Sequence, residues 1–285
     1  MTRPRIPVIV TVFAALVLAL LPVRALADDE IARDSSERSL LSYRESGCTE
    51  INYQRGGLAS AVRPLVPERF ALADFPGVPE GAPPRVYLLI SEVTCDRGRF
   101  PGHATSKGPY TFVIVSASVT AVEGDQRDGA YVLFYVTENR TQLAALRRLG
   151  WPVTSLSRRT TSLITRDTSG TVLGSALHVV GGGWNHDLTA MSNAPLSSVE
   201  PSTAEYYRDT PTGPQTLCFD NLVSVAPAWY SGDLRGTPFA TIAYVPPRFF
   251  MYPGGLVVGG WSVTVTTGSC PTSSASPLGV PLAES

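Results

Sequence analysis

Three residues stand where a side chain could engage a small molecule: Glu92, Trp151 and His178. Glu92 follows Val86, Leu88 and Ile90 along one face of an apolar stretch. A carboxylate at the end of such a stripe can be held protonated and serve as acid, base or ligand hook; otherwise it marks the rim, solvated or paired with an arginine. His178 shares a face with Gly174 and Ala176, whose small side chains leave room beside an imidazole. Trp151 sits in a Gly150-Trp151-Pro152 turn, where an aromatic ring can line a pocket or close a core. His178, His186 and Asp187 could meet at a hairpin end, but their spacing matches no familiar metal motif, and no metal is expected. The chain has no Gly-x-Ser-x-Gly elbow, phosphate loop or His-Glu-x-x-His segment. No catalytic residue and no cofactor is therefore assigned.

The four cysteines, Cys48, Cys95, Cys218 and Cys270, form no close pair of the metal-binding type. An even number in an exported chain reads as two disulfides. Three pairings are open; Cys48–Cys95 with Cys218–Cys270 is favoured because each bridge then staples one half of the chain. Export is expected from residues 1–27, where Arg3 and Arg5 precede an apolar stretch and Ala25-Leu26-Ala27 offers a cleavage site. An uncleaved N-terminal anchor is the alternative reading. No later segment is long and apolar enough to span a bilayer, so no membrane insertion is expected after cleavage. Loss of those residues leaves 20 basic against 24 acidic side chains. A mildly acidic protein has no electrostatic reason to seek nucleic acid.

The elements that must position these residues are strands. Of 285 residues 44% are hydrophobic and only 16% charged, while 25 glycines and 24 prolines favour short elements joined by turns. Segments 85–95, 110–122 and 130–137 are rich in β-branched and aromatic residues. Within 110–122, Thr111, Val113, Val115, Ala117, Val119 and Ala121 form one apolar face. The other passes from Tyr110, Phe112 and Ile114 to Ser116, Ser118 and Thr120. A helix is predicted over 139–149, capped by Thr137 or Asn139 and ended by Gly150 and Pro152. Segments 160–166 and 171–180 read as a hairpin, and 216–225, 239–245 and 256–267 as further strands. The region 181–214 reads as irregular, with a short helix near 204–208. Residues 28–45 read as a flexible leader, 46–270 as a single domain, and 271–285 as a flexible Ser/Pro-rich tail. The fold class expected is mainly β (α+β): a closed or nearly closed antiparallel β-barrel with a few peripheral helices.

The run from Val66-Pro67-Glu68-Arg69-Phe70 through these strands to Leu149-Gly150-Trp151-Pro152 resembles the acetoacetate decarboxylase-like family. The resemblance covers about a third of the chain and implies a cone-shaped β-barrel around a small apolar cavity. It also implies a catalytic lysine directly after that proline with a second beside it, whose amine forms a Schiff base. Here those positions hold Val153 and Thr154, and the whole chain has one lysine, Lys107, in the Gly/Pro/Ser-rich stretch 101–109. Arginine cannot replace it, because a guanidinium stays protonated and forms no imine. The chain also resembles exported actinobacterial proteins with cysteines in similar surroundings, which implies no activity. The function expected is an exported, disulfide-stabilised barrel that binds a small apolar or amphipathic molecule without catalysis. A lyase or isomerase lacking the Schiff-base lysine and a cell-envelope interaction protein are the alternatives.

Overall fold

The computed structural model describes residues 39–270 apart from 122–128, 157–160, 182, 193, 199–201, 233–236 and 243–250. The expected export signal, the tail 271–285 and most of the 28–45 leader lie outside the described residues.

Seven strands close into a barrel: β1 (Leu41–Leu58), β3 (Arg85–Arg99), β4 (Ser106–Ala121), β5 (Gly129–Thr137), β11 (Ser202–Thr210), β12 (Gly213–Gly232) and β13 (Met251–Thr266). Their order around the wall is β11-β5-β4-β3-β1-β13-β12, and β12 pairs back onto β11. Every contact is antiparallel except that of β11 with β5, a short parallel junction at Tyr206–Ala130 and Tyr207–Tyr131. The barrel fold class expected from the strand pattern is therefore present, and closure depends on one parallel seam.

Strand β12 leaves the barrel halfway along. Its second half pairs with β9 (Trp184–Ser192), which continues to β8 (Val172–Gly181) and β7 (Thr161–Arg166). This three-strand extension, with α1 (Ala59–Val62), a following 3-10 turn and β2 (Phe70–Leu72), packs on the outer wall. Two short strands, β6 (Val153–Ser155) and β10 (Ser197–Ser198), pair with β5 and β12. Alternation along each strand then yields two cores. Inward positions from all seven strands, among them Tyr43, Val93, Phe112, Tyr135, Leu217, Phe219 and Val263, form one cluster in the lumen. Outward positions such as Ile51, Leu88, Ile90, Val113 and Val115 pack with Leu177, Val179, Trp184 and Leu188 of the extension. The two faces of segment 110–122 fall on these two cores. Its apolar face lies under the covering layer, and its apolar-to-polar face runs down the lumen.

Helix α2 (Arg140–Arg148) closes one end of the lumen, sending Leu146 and Gln142 into it. Asn139 is its N-cap; its side-chain oxygen accepts from the Thr141 and Gln142 backbone N–H groups at 3.0 and 3.2 Å. At the other end Gly150 adopts φ +86°, and Trp151 N–H and Gly150 N–H return to the Leu146 and Arg147 carbonyls. That left-handed turn is why Gly precedes Trp151 here. Both expected disulfides are formed, Cys48–Cys95 and Cys218–Cys270. The first joins directly paired residues of β1 and β3; the second ties the chain after β13 to β12.

Several sequence expectations need correction. Leu41 to Glu45, placed in the leader, belong to β1, and Glu45 is buried. The helix expected near 204–208 is strand β11, and the irregular 181–214 region also contains β9. Lys107 lies within β4, paired with Arg97, not in a loop. The strand expected over 239–245 begins instead as a 3-10 turn, Pro238–Thr241, and its later residues lie outside the described ones.

Candidate functional site: the barrel lumen

The lumen is not uniform along its axis. At the α2 end it is solid: Tyr43, Tyr110, Tyr135, Leu146, Trp151, Val153 and Trp261 are all buried. Glu45 sits among them and accepts three hydrogen bonds. Tyr110 Oη donates to Oε1 at 2.8 Å, Gln142 Nε2 donates to Oε1 at 3.0 Å, and Trp261 Nε1 donates to Oε2 at 2.6 Å. Burial raises the Glu45 pKa to about 7, against the opposing pull of those three donors. Its oxygens are occupied by β4, β13 and α2, so this carboxyl is a knot in the floor with no room left for a ligand.

Towards the opposite end the inward side chains regain contact with solvent. Glu50, Asn52, Leu89, Ser118, Tyr206 and Val223 all point inward by register and all are only half-buried, while Gln54, further along β1, is exposed. Solvent therefore reaches these inward-facing side chains at this end of the barrel, unlike those at the α2 end. The mouth is polar. Asn52 Nδ2 donates to Glu50 Oε1 at 3.1 Å and lies 3.4 Å from Ser91 Oγ. From the far wall Tyr206 reaches Ser91 and feels the Glu50 charge; burial, then that charge, push its pKa well up. Burial likewise raises the Glu50 pKa, while its hydrogen bonds with Ser91 and Asn52 hold it down. Behind this group stand Phe219, edge-on to Tyr206 with centroids 5.4 Å apart, and then Trp261. This end of the lumen, called the chamber below, is thus amphipathic: polar side chains at the mouth with aromatic rings packed behind them.

The three residues singled out from sequence do not converge. Trp151 is in the lumen cluster, its Nε1 donating to Gln215 Oε1 at 2.7 Å, at the solid end. Glu92 is fully buried but faces outward, between the wall and the extension. Its Oε1 accepts from Tyr53 Oη at 2.7 Å and lies 2.8 Å from His186 Nε2. His178 lies on the solvent side of β8, its Nδ1 2.8 Å from an Asp187 oxygen. His186 and Asp187 are consecutive on β9 and so point to opposite faces, which separates the three-residue set considered for a metal. Among the described residues no group of three or more His, Cys, Asp or Glu could hold a metal ion. Sequence reasoning missed Glu50, Asn52, Ser91 and Tyr206. The fade from Ile114 to Ser116 and Ser118 on the same inner surface was the available signal, although it sits on a neighbouring strand.

No family model matches the chain, and no curated protein matches it. Solved structures do. Acetoacetate decarboxylase from Legionella pneumophila is similar over 88% of this chain and 98% of its own, with a TM-score of 0.50 at 10% identity. The fold is that of acetoacetate decarboxylase. The enduracididine biosynthesis enzyme MppR with HEPES bound is similar over 80% of this chain and 86% of its own (TM-score 0.48, 12% identity). An acetoacetate decarboxylase-like enzyme from Sphingomonas wittichii is similar over 86% and 100% (TM-score 0.45, 10% identity). At such identities the likeness is one of fold. The position after Pro152, where the family resemblance would put the Schiff-base lysine, is Val153, which is 2% exposed and packed in the lumen cluster.

Proposed function

We propose that this is an exported, disulfide-stapled barrel that holds a small apolar or amphipathic molecule in its lumen without transforming it. The observation carrying this reading is the set of half-buried inward side chains at one end of an otherwise solid barrel. The absence of a lysine from the imine position supports binding over decarboxylation: Val153 has no nucleophile to offer, and the chain's single lysine lies at the start of β4. Two disulfides suit an oxidising compartment, which supports export.

The test is a titration with the neutral fluorescent probe N-phenyl-1-naphthylamine. Wild-type protein is expected to give saturable enhancement at one site per chain. Leu89→Trp and Val223→Trp, which fill the mouth from two walls, are each expected to abolish it while leaving the circular dichroism spectrum unchanged. Enhancement that is absent in the wild type, or that survives in both variants, contradicts lumen binding.

A further inference from the structure

We propose that the chamber selects amphipathic organic cations: molecules with an ammonium head that pairs with Glu50 and an apolar body that lies against Tyr206 and Phe219. This deepens the lumen-binding reading and rests on it.

The argument begins with Glu50. Its carboxylate points into the barrel from β1, half-buried, and its hydrogen-bonding neighbours are the neutral Asn52 and Ser91. Among the described residues no lysine, arginine or histidine forms an ion pair with it. A carboxylate drawn into a protein interior without a counter-charge is costly, and a cation brought by a ligand removes that cost. Burial raises the Glu50 pKa, as that lack of compensation requires. The contrast with Glu45, on the same inner surface, is informative. Glu45 is saturated by three donors from three elements, whereas the Glu50 oxygens are left with an amide N–H and a hydroxyl.

The second observation is aromatic. Tyr206 is close enough to Glu50 to feel its charge and meets Phe219 edge-on, which puts aromatic rings in the neighbourhood of a cation held by the carboxylate. Leu89 and Val223, inward-facing and half-buried, offer apolar contact to a short alkyl or aryl body. An anionic head of the same size would meet the Glu50 charge directly, and a neutral hydroxyl would forgo the ion pair.

Matched ligands test this. Octylammonium, 1-octanol and octanoate are each used to displace N-phenyl-1-naphthylamine at mildly alkaline pH. Octylammonium is expected to compete at a concentration about 10-fold lower than octanol, the scale of one charge-assisted hydrogen bond, with octanoate weakest. Glu50→Gln, which keeps shape but not charge, is expected to erase the amine's advantage over the alcohol; Glu50→Asp is expected to restore part of it. An alcohol or carboxylate that competes as well as the amine overturns the proposal, as does an amine advantage that persists in Glu50→Gln. Failure of the probe or of all three ligands to bind overturns the lumen-binding reading itself, so the two failures are distinguishable.

Discussion

Glu45 and His186 show how one residue can hold several elements together, and each implies a measurable effect. The Glu45 pKa is raised from 4.5 to about 7 by burial. Between those values the folded state holds a proton that the unfolded chain has released, so the folded state binds more protons and stability falls as pH rises. From this group alone the protein is expected to be more stable near pH 5 than near pH 8, by on the order of 3 kcal/mol. Urea unfolding across that range should show the trend, and Glu45→Gln should flatten it; an unchanged pH slope in that variant contradicts the assignment. His186 and Glu92 pair with both side chains fully enclosed, whereas His178 and Asp187 pair at the surface. Removing His186 leaves the buried Glu92 carboxyl with the Tyr53 hydroxyl but without its second partner. His186→Ala is therefore expected to cost about 3 kcal/mol or more, and His178→Ala less than about 1 kcal/mol. Equal losses in chemical denaturation would show that the extension is not anchored through His186. Asn139→Ala, which deletes the α2 cap, is expected to cost about 1 kcal/mol by the same measurement.

At the scale of elements, legibility followed the regularity of alternation. Strands β3, β4 and β5 were plain because their β-branched and aromatic residues repeat without interruption, and the β7–β8 hairpin because Asp167 to Gly170 supplies a turn. Strand β1 was hidden by a bulge. Tyr43 and Glu45 face the lumen, Gly47 at φ +62° inserts an extra residue, and inward positions resume at Cys48, Glu50 and Asn52. That shift of phase, together with buried carboxylates and an asparagine, made the strand look like a polar leader. Strand β9 was obscured by the glycines before it and by a histidine at a core position, Trp184, His186, Leu188 and Ala190 being its buried face. Strand β11 carries Ala, Glu and Arg among its tyrosines, and its role became visible only through its partners β5 and β12. The chamber is hard to read for the same reason, since Glu50 lies beyond the bulge and Tyr206 in a strand whose Ala, Glu and Arg suit a helix equally well. The disulfide pairing, by contrast, follows from the strands it staples. The Cys218–Cys270 bridge closes a separation of 52 residues and ties down the chain after β13. Its removal by Cys218→Ser with Cys270→Ser is expected to cost about 2–5 kcal/mol, read from urea midpoints; no loss would mean the bridge is absent in solution.

At the scale of the whole molecule, one barrel is divided between two tasks. Its outer wall and one lumen end are packed solid, by the covering layer and by α2. The other end keeps polar and aromatic side chains within reach of solvent. The fold is shared with enzymes that include acetoacetate decarboxylase, but a shared fold does not carry the reaction, and here a buried valine follows Pro152. Native mass spectrometry of the protein recovered from its own source, followed by denaturation of the same sample after borohydride treatment, tests this most directly. A small basic molecule is expected to ride on the native ion and to be lost completely on denaturation. Repeated preparations without an adduct, or an adduct fixed covalently by borohydride, would contradict non-covalent binding in the lumen.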